Sequence, residues 1–365
     1  MIYLDHAATT PLCEAAKKAI IENLDNFGNP SSSYELGHNA LMLVEEARER
    51  IAKCVNAEPD EIYFTSGGSE ANSWALLARK RLTSWIEHHS VTTNYGFSVE
   101  EDGVANTEYI RSVIEYYTKD KRYPYIPEMI SCMTVNNEIG TIQPVKKIAE
   151  VSHDNDLLFH TDAVQAVGHI PIDVKDLGCD MLSASGHKFG TPKGVGFLYI
   201  NNGVESFPLI YGGKQERGIR GGTENVLGIV AMAAALEDAV NNMEERNAYV
   251  KELRDKLLST LLSIDGVYLN GSLEDRVVSN INVRIDGVKG QDVVAMADQY
   301  GICISAGSAC NEGQDTPSHV LKAIGLTDEE ALSSIRITLG HDNTIEEIDR
   351  VCDILPKIIK RLRAI

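Results

Sequence analysis

The sequence has no Cys-x-x-Cys pair, although it contains seven cysteines among its 365 residues. Their odd number and scattered positions are typical of a reducing compartment and argue against a disulfide framework or a zinc site. No run of about 18 apolar residues predicts a membrane span. The N-terminus, MIYLDHAATTP, lacks the basic and apolar regions of a signal peptide. We therefore expect a cytoplasmic protein without a membrane segment.

Positive charge is also scarce, because 34 Lys and Arg residues face 53 Asp and Glu residues, for a net charge of −19. Such an acidic chain repels phosphate backbones, so direct binding of nucleic acid is not expected. No G-x-x-x-x-G-K-[ST] pattern occurs, which argues against a nucleoside triphosphate site. Hydrophobic residues make up 43% of the chain, which is enough for a substantial core.

Helical patterns alternate with short apolar runs through the first two-thirds of the chain. Strands are predicted at 61–66, 129–135, 157–160, 179–185 and 194–200, and helices at 14–24, 37–54 and 145–154. This alternation predicts an α/β fold with a mostly parallel, doubly wound sheet. A single long helix is predicted over 224–262, and the pattern after it is α+β, with strands at 277–285, 302–306 and 334–339 and helices at 290–299 and 344–362.

The change of pattern inside that long helix predicts a domain boundary near residue 240. A large α/β domain would span 12–240, and a small α+β domain would combine 1–11 with 241–365.

A glycine-rich turn lies between a predicted strand and a predicted helix, in the stretch TSGGSEAN (65–72). Free N–H groups and the dipole at such a helix start bind anions, and Gly67 and Gly68 let a phosphate approach the backbone. The alternative is a tight turn with Ser69 as the N-cap residue.

Two charged residues follow neighbouring predicted strands. Asp162 comes directly after one strand in FHTDAVQAVG, and Lys188 follows the next in SASGHKFG. Taken alone, Asp162 is more typical of a helix cap and Lys188 of a surface lysine. Together with the glycine turn they match the needs of pyridoxal phosphate, which are an aspartate facing the pyridinium nitrogen and a lysine that forms a Schiff base.

Three polar residues near the predicted sheet edge have two interpretations each. His88 in EHHSV either caps a loop or stacks on a flat cofactor. A zinc site is not expected, because no further ligands occur at a suitable spacing. Asn137 and Gln165 either bind a cofactor hydroxyl or satisfy loop backbone.

Cys310 lies among small and polar residues in SAGSACNEG, whereas a structural cysteine normally sits in an apolar run. Such surroundings suit a nucleophilic thiolate. Arg336 lies inside the apolar strand SSIRITLG and needs an anionic partner there. That partner is either a substrate carboxylate, held bidentately, or a structural salt bridge.

Ten stretches in series carry a resemblance to a known family, and they run from residue 3 to residue 340. They are YLDHAATTP, FGNPSS, TSGGSEAN, EHHSV, VNNEIGTIQPV, HTDAVQAVG, SASGHK, GIRGGTENV, SAGSAC and SSIRITLG. The chain resembles the NifS/IscS-like cysteine desulfurases of the class V aminotransferase group, which are fold-type I pyridoxal-phosphate enzymes. The resemblance implies a mostly parallel seven-stranded sheet with helices on both faces, plus a smaller α+β domain.

The resemblance also implies roles for individual residues. Lys188 would bind the cofactor covalently, Asp162 would pair with its ring nitrogen, and His88 would stack on the ring and help to move protons. The cofactor's phenolic oxygen would be contacted by Asn137 and Gln165, and its phosphate by Gly68, Ser69, Ser185 and His187. Thr223 would reach the phosphate bound by a partner subunit, which implies a homodimer, and the substrate carboxylate would be bound by Asn29 and Arg336.

The implied activity is removal of sulfur from L-cysteine, giving L-alanine and a persulfide on Cys310. The sulfur would pass to a scaffold or carrier protein, for example in iron–sulfur cluster assembly. The alternatives are a selenocysteine lyase or another class V lyase or aminotransferase, and a non-catalytic partner in a sulfur-transfer complex. The segments 69–88 and 92–107 are shorter than is usual in the family, and the chain ends without the tail that helps some relatives to dock a scaffold.

Overall fold

The structure is a computed structural model, and it describes residues 1–119, 125–307 and 316–364. In these ranges the strands are β1 Ile2–Tyr3, β2 Ile62–Thr65, β3 Arg81–Ser84, β4 Gly96–Phe97, β5 Met129–Ser131, β6 Leu158–Asp162, β7 Met181–Ser185, β8 Gly196–Ile200, β9 Val267–Leu269, β10 Asn280–Ile285, β11 Ile302–Cys303 and β12 Ser334–Thr338. The helices are α1 Glu14–Asn23, α2 Glu35–Val55, α3 Gly68–Ala75, α4 Thr107–Lys119, α5 Val145–His153, α6 Val174–Leu177, α7 Val226–Asn241, α8 Met243–Leu262, α9 Gly290–Gln299, α10 His319–Ala323, α11 Asp328–Leu332 and α12 Ile345–Leu362.

The large sheet has seven strands in the order β2-β8-β7-β6-β5-β3-β4. The pairs from β7 through β6, β5 and β3 to β4 are parallel, whereas β8 runs antiparallel to both β2 and β7. The prediction of a mostly parallel sheet in an α/β fold is therefore confirmed. The edge strand β4 has only two residues.

Both faces of this sheet are buried. Met181 and Leu182 are consecutive residues of β7, so their side chains point to opposite faces. Met181 packs in a cluster with Trp74 of α3, and Leu182 packs in the main core with helices that include α2 and α7. The strands are nearly continuous in apolar character because helices cover them on two sides.

The prediction of a single long helix over 224–262 is wrong, because the helix is interrupted at Asn242 and forms two helices, α7 and α8. The Nδ2 of Asn242 donates to the carbonyl oxygen of Asp238 at 2.8 Å and ends the first helix. Among the described helices, no single one is long and apolar enough to cross a membrane. In the described part of the chain, α7 and α8 taken together are long and apolar enough to span a membrane by length and composition alone, but they are bent by 71° relative to each other.

A second hydrophobic core lies around a three-stranded antiparallel sheet in the order β12-β10-β9. Helices α8, α9 and α12 contribute to it, and so do Ile2 and Leu4 from the N-terminus. β1 pairs in parallel with β11, so the first residues of the chain belong to this core. The short helices α10 and α11 instead place Val320 and Ala331 in the main core.

Candidate active site

Lys188 follows a buried strand, and its amino group is held by the N-terminal segment. β7 ends at Ser185, and the chain then makes one 3-10 turn over Gly186–Lys188. The Nζ of Lys188 donates hydrogen bonds to the carbonyl oxygens of Ala7 (2.5 Å) and Ala8 (2.8 Å). The half-buried amine is thus fixed at the carboxyl end of the parallel strands, where α/β sheets bind ligands.

Asp162 ends the neighbouring strand β6 and is only 4% exposed. Its Oδ2 accepts a hydrogen bond from Asn72 Nδ2 at 2.7 Å, and its Oδ1 accepts one from the Val164 N–H at 3.0 Å. Both donors are neutral amides. They orient the carboxylate, but they do not balance its charge.

His88 is connected to Asp162 through two polar side chains. Asn72 Nδ2 also donates to Ser90 Oγ at 2.9 Å, and Ser90 Oγ lies 2.7 Å from His88 Nδ1. The Ser90 N–H donates to the same Nδ1 at 3.2 Å. Because a backbone N–H can only donate, Nδ1 accepts, and the neutral ring carries its proton on Nε2. Burial lowers the pKa of His88, while the negative charge of Asp162 opposes that shift.

Gly68 and Ser185, two of the residues expected to bind the phosphate, lie close together beside Gly67. Gly67 has a φ of 149°, and a Cβ atom on Gly68 would lie 2.6 Å from Val164 Cγ2, so both positions require glycine. A Cβ atom on Gly67 would lie 3.5 Å from Ser185 Oγ, so the Ser185 hydroxyl lies beside the start of α3. The alternative prediction of Ser69 as the N-cap residue is wrong, because Gly67 occupies that position and Ser69 is exposed.

His187 lies beside Lys188 and contacts the N-terminal segment, with its Nδ1 3.1 Å from Thr9 Oγ1. Burial lowers the pKa of His187 to about 4, with a smaller contribution from the positive charges of Lys188 and Lys193. The ring is therefore neutral at physiological pH. It can donate a hydrogen bond to a phosphate, but it adds no positive charge.

Gln165 and Asn137 line the same small cavity but have different polar partners. Gln165 Nε2 donates to the Ala7 carbonyl oxygen at 2.9 Å, which is the same oxygen that accepts from Lys188. The carbonyl oxygen of the half-buried Asn137 accepts from Arg336 Nη1 at 3.0 Å. The fold therefore places Gln165 with the lysine and Asn137 with the arginine.

Arg336 is 2% exposed in β12, and it already has a carboxylate partner. Its Nη2 lies 2.8 Å from Asp5 Oδ1, and Asp5 Oδ2 accepts from Ser305 Oγ at 2.9 Å. The structural salt bridge given as the alternative for Arg336 is thus present. The Nε of Arg336 is buried and has no hydrogen-bond partner among the described residues.

Three of the predicted site residues lie either at exposed positions or outside the described residues. Asn29 is exposed, and its Oδ1 accepts from the Ser31 N–H at 2.9 Å. Thr223 is exposed in the segment before α7. Cys310 lies outside the described residues.

Comparison with known proteins decides the family. The model of the family described as "Aminotransferase class-V" matches residues 2–351. The chain belongs to the class V aminotransferase family. It is 42% identical to a protein named cysteine desulfurase IscS from Methanosarcina thermophila, over 99% of this chain and 93% of that protein. An IscS cysteine desulfurase from Clostridium botulinum is 43% identical over 99% of this chain and 95% of that protein.

Solved structures similar to this chain support the same family assignment. A protein titled NifS-like superposes with a TM-score of 0.88 at 34% identity, covering all of both chains. A NifS-like protein from Rickettsia africae superposes with a TM-score of 0.90 at 31% identity, covering 99% of each chain. The predicted NifS/IscS-like family and its fold are confirmed.

Enzymes of this family depend on pyridoxal phosphate, and the described residues fit that cofactor. The buried carboxylate of Asp162 has neutral donors and suits a protonated ring nitrogen. Gly67, Gly68 and Ser185 leave space and hydrogen-bonding groups for a phosphate, and Lys188 supplies the amine. Across the described ranges, no group of three or more His, Cys, Asp and Glu side chains could hold a metal ion.

Asn72 and Asp5 are the functional residues that the motifs did not single out. Asn72 lies one helical turn after Gly68, and that spacing returns its side chain to the face at the helix start. This was a usable signal. Asp5 pairs with Arg336 across 331 residues of sequence, and no local pattern indicates such a pair.

Proposed function

We propose that this chain removes sulfur from L-cysteine, giving L-alanine and a persulfide on Cys310 that is passed to an acceptor protein. The observation that carries the proposal is the position of Asp162 and Lys188 at the ends of the adjacent parallel strands β6 and β7, with His88 joined to Asp162 through Asn72 and Ser90. The curated relatives at 42% and 43% identity are named cysteine desulfurases, which supports the same activity.

When bound, pyridoxal phosphate supplies an electron sink for the bonds of the substrate's α-carbon. Asp162 would hold the ring nitrogen in its protonated form, because its carboxylate is buried and lacks a cation among its described contacts. Lys188 would supply the amine that attaches the cofactor. His88, whose Nδ1 accepts from the Ser90 N–H and whose neutral form therefore carries its proton on Nε2, would exchange protons with the bound substrate.

Sulfur transfer requires one more group, and we assign it to Cys310. Its thiolate attacks the sulfur of the bound cysteine, so a sulfur–sulfur bond forms and the carbon–sulfur bond of the substrate breaks. The electron pair of the broken bond stays with the substrate carbon, which a proton converts to the methyl group of alanine. Cys310 then carries the transferred sulfur as a persulfide, and no outside oxidant or reductant is needed.

The carboxylate of the substrate is assigned to Arg336, with Asn29 as a second contact. Arg336 is buried, is positively charged and has an Nε donor without a described partner. Asp5 balances part of its charge and holds the guanidinium in place. A substrate carboxylate would therefore add to the existing ion pair and would not have to replace it.

A homodimer completes the proposed site. Asn29 and Thr223 are exposed, and the segments that carry them meet where Gln215 Nε2 donates to Ser31 Oγ at 3.3 Å. Large apolar side chains are exposed in the same segments, including Phe27 (79%), Tyr34 (59%) and Tyr211 (86%). Exposed apolar surface of this kind is typical of protein interfaces, so a second copy of the chain would cover it and place Thr223 at the partner's phosphate site.

The division into domains and the cellular location complete the proposal. The two separate hydrophobic cores and the break between α7 and α8 support domains of 12–240 and of 1–11 with 241–365. The residues of α10 and α11 in the main core show that the two parts also share contacts. The acidic charge and dispersed cysteines support a cytoplasmic protein.

The deciding experiment measures alanine and persulfide formed from cysteine by the wild-type protein and by Cys310→Ala. The variant should bind the cofactor normally and form no persulfide. Cys352→Ala is the matched control, because Cys352 is a half-buried cysteine of α12, and it should keep full activity. Persulfide formation by Cys310→Ala would contradict the assignment of this residue.

The same assay separates the alternatives. A selenocysteine lyase would release selenium from selenocysteine much faster than it releases sulfur from cysteine. A non-catalytic partner would stay colourless with added pyridoxal phosphate and release neither element.

A further inference from the structure

His319 is the first residue of α10, and it contacts the polypeptide directly before His88. Its Nε2–H donates to the carbonyl oxygen of Glu87 at 2.9 Å. Its ring also lies against His89, with centroids 4.8 Å apart and planes tilted by 39°. His319 thus contacts the residues on both sides of His88 in the sequence.

The start of α10 is itself held firmly. Ser318 Oγ donates to Glu138 Oε2 at 2.5 Å, and it accepts from the N–H groups of Val320 and Leu321. Ser318 and Glu138 are 8% and 1% exposed. These bonds fix the backbone at the start of α10, and His319 is the next residue, so less conformational entropy is lost when its side chain bonds to Glu87.

Glu87 is fixed from the opposite side. Its side chain is fully buried, and its Oε1 accepts from the Ser84 hydroxyl and, at 2.9 Å, from the Met133 N–H. Together with the bond from His319 to its carbonyl oxygen, this leaves the backbone at Glu87 little freedom. His88 is the next residue, so the position of its ring depends on this anchor.

We propose that His319 is a positioning residue for His88, acting through the hydrogen bond to the Glu87 carbonyl oxygen. The inference rests on the proposed function at one point, which is that His88 contacts the cofactor when it is bound. His319 Nδ1 is buried without a hydrogen-bond partner among the described residues, so in that part of the chain its polar contact is made through Nε2. The proposed role therefore requires a hydrogen-bond donor at the place of the His319 Nε2.

The test compares His319→Leu, which removes the donor, with His319→Gln, whose side-chain amide can donate from a similar place. Removing one buried hydrogen bond of about 1.4 kcal/mol corresponds to about tenfold in an equilibrium constant. We expect His319→Leu to weaken pyridoxal-phosphate binding to the apoprotein about tenfold and to change the visible circular dichroism of the bound cofactor. His319→Gln should restore most of both properties. His38→Leu, at an exposed histidine, is the matched control and should match wild type.

Two results would overturn the inference: wild-type affinity and dichroism in His319→Leu, or a His319→Gln variant as impaired as His319→Leu. If His319→Leu does not fold, His319→Asn, whose amide is too short to reach, takes its place in the comparison. Measurements on the wild-type protein test the proposed function separately. If that function is wrong, the wild-type protein binds no cofactor or forms no persulfide. A wild-type enzyme that does both, with variants that match it, refutes only the role of His319.

Discussion

The Nζ of Lys188 lies 2.5 Å from the carbonyl oxygen of Ala7, a residue 181 positions earlier in the chain. The large sheet carries Lys188, whereas the Ala7 N–H donates to Thr338 Oγ1 of β12 at 2.9 Å. The Ala8 carbonyl oxygen accepts a second hydrogen bond from the same Nζ at 2.8 Å, so two carbonyl oxygens of the N-terminal segment hold the amine in place. The lysine is therefore positioned only when both cores are packed against each other.

Replacing Lys188 with alanine should abolish covalent attachment of the cofactor and all release of sulfur. The amine is the only part of the Lys188 side chain that can form that bond. Absorbance spectra before and after borohydride reduction, followed by mass spectrometry, would measure attachment. Lys193→Ala is the control, because Lys193 is an exposed neighbour in the same turn, and it should remain yellow.

Replacing Asn72 with alanine should weaken cofactor binding about tenfold, a loss of about 1.4 kcal/mol. Asn72 Nδ2 donates to both Asp162 and Ser90, so its removal frees the carboxylate and the Ser90 contact of His88. Titration of apoprotein with pyridoxal phosphate measures the effect, with the exposed Asn202→Ala as the comparison. Equal affinities in the two variants would show that Asp162 does not need this donor.

Arg336→Ala should raise the KM for cysteine and also destabilise the fold by about 3 kcal/mol, because it leaves the Asp5 carboxylate without its cation. Arg336→Lys keeps the charge but loses the planar pair of donors, so its loss of stability should be smaller while KM still rises. Denaturant unfolding and steady-state kinetics separate the two effects. An unchanged KM in both variants would leave Arg336 with only the structural salt bridge.

Glu87 should make the stability of the apoprotein depend on pH. Burial raises the pKa of its carboxyl group from 4.5 to about 8. The folded protein keeps a proton that the unfolded chain releases in this range, so this group's contribution to stability is complete below about pH 4.5 and is lost as the pH rises to about 8. Glu87→Gln can accept the same two hydrogen bonds at Oε1 and does not ionise.

The free energy of unfolding of Glu87→Gln, minus that of wild type, should therefore increase between about pH 5 and pH 9. Denaturant titrations at a series of pH values measure this difference. Glu101→Gln, at an exposed position, should show no such trend. A constant difference for Glu87→Gln across the range would mean that Glu87 is ionised in the folded protein throughout.

Local patterns identified the strands that carry Asp162 and Lys188, and adjacency of parallel strands explains why these residues emerge at one edge of the sheet. Two local predictions were wrong. The helix predicted over 224–262 is interrupted at Asn242, a break that its apolar periodicity does not reveal. Ser69 is not the N-cap residue, because the positive φ at Gly67 begins the helix earlier.

The sequence by itself determined the α/β class, the glycine-rich helix start and the two charged residues at the sheet edge, because these depend on periodicity and on residues next to each other in the chain. Only the tertiary structure decided that Asn72 joins Asp162 to His88, that Asp5 pairs with Arg336, and that the Ala7 carbonyl oxygen receives Lys188. Each of these contacts joins residues far apart in the chain. Their distances depend on how the two cores pack, and packing is set by the whole chain.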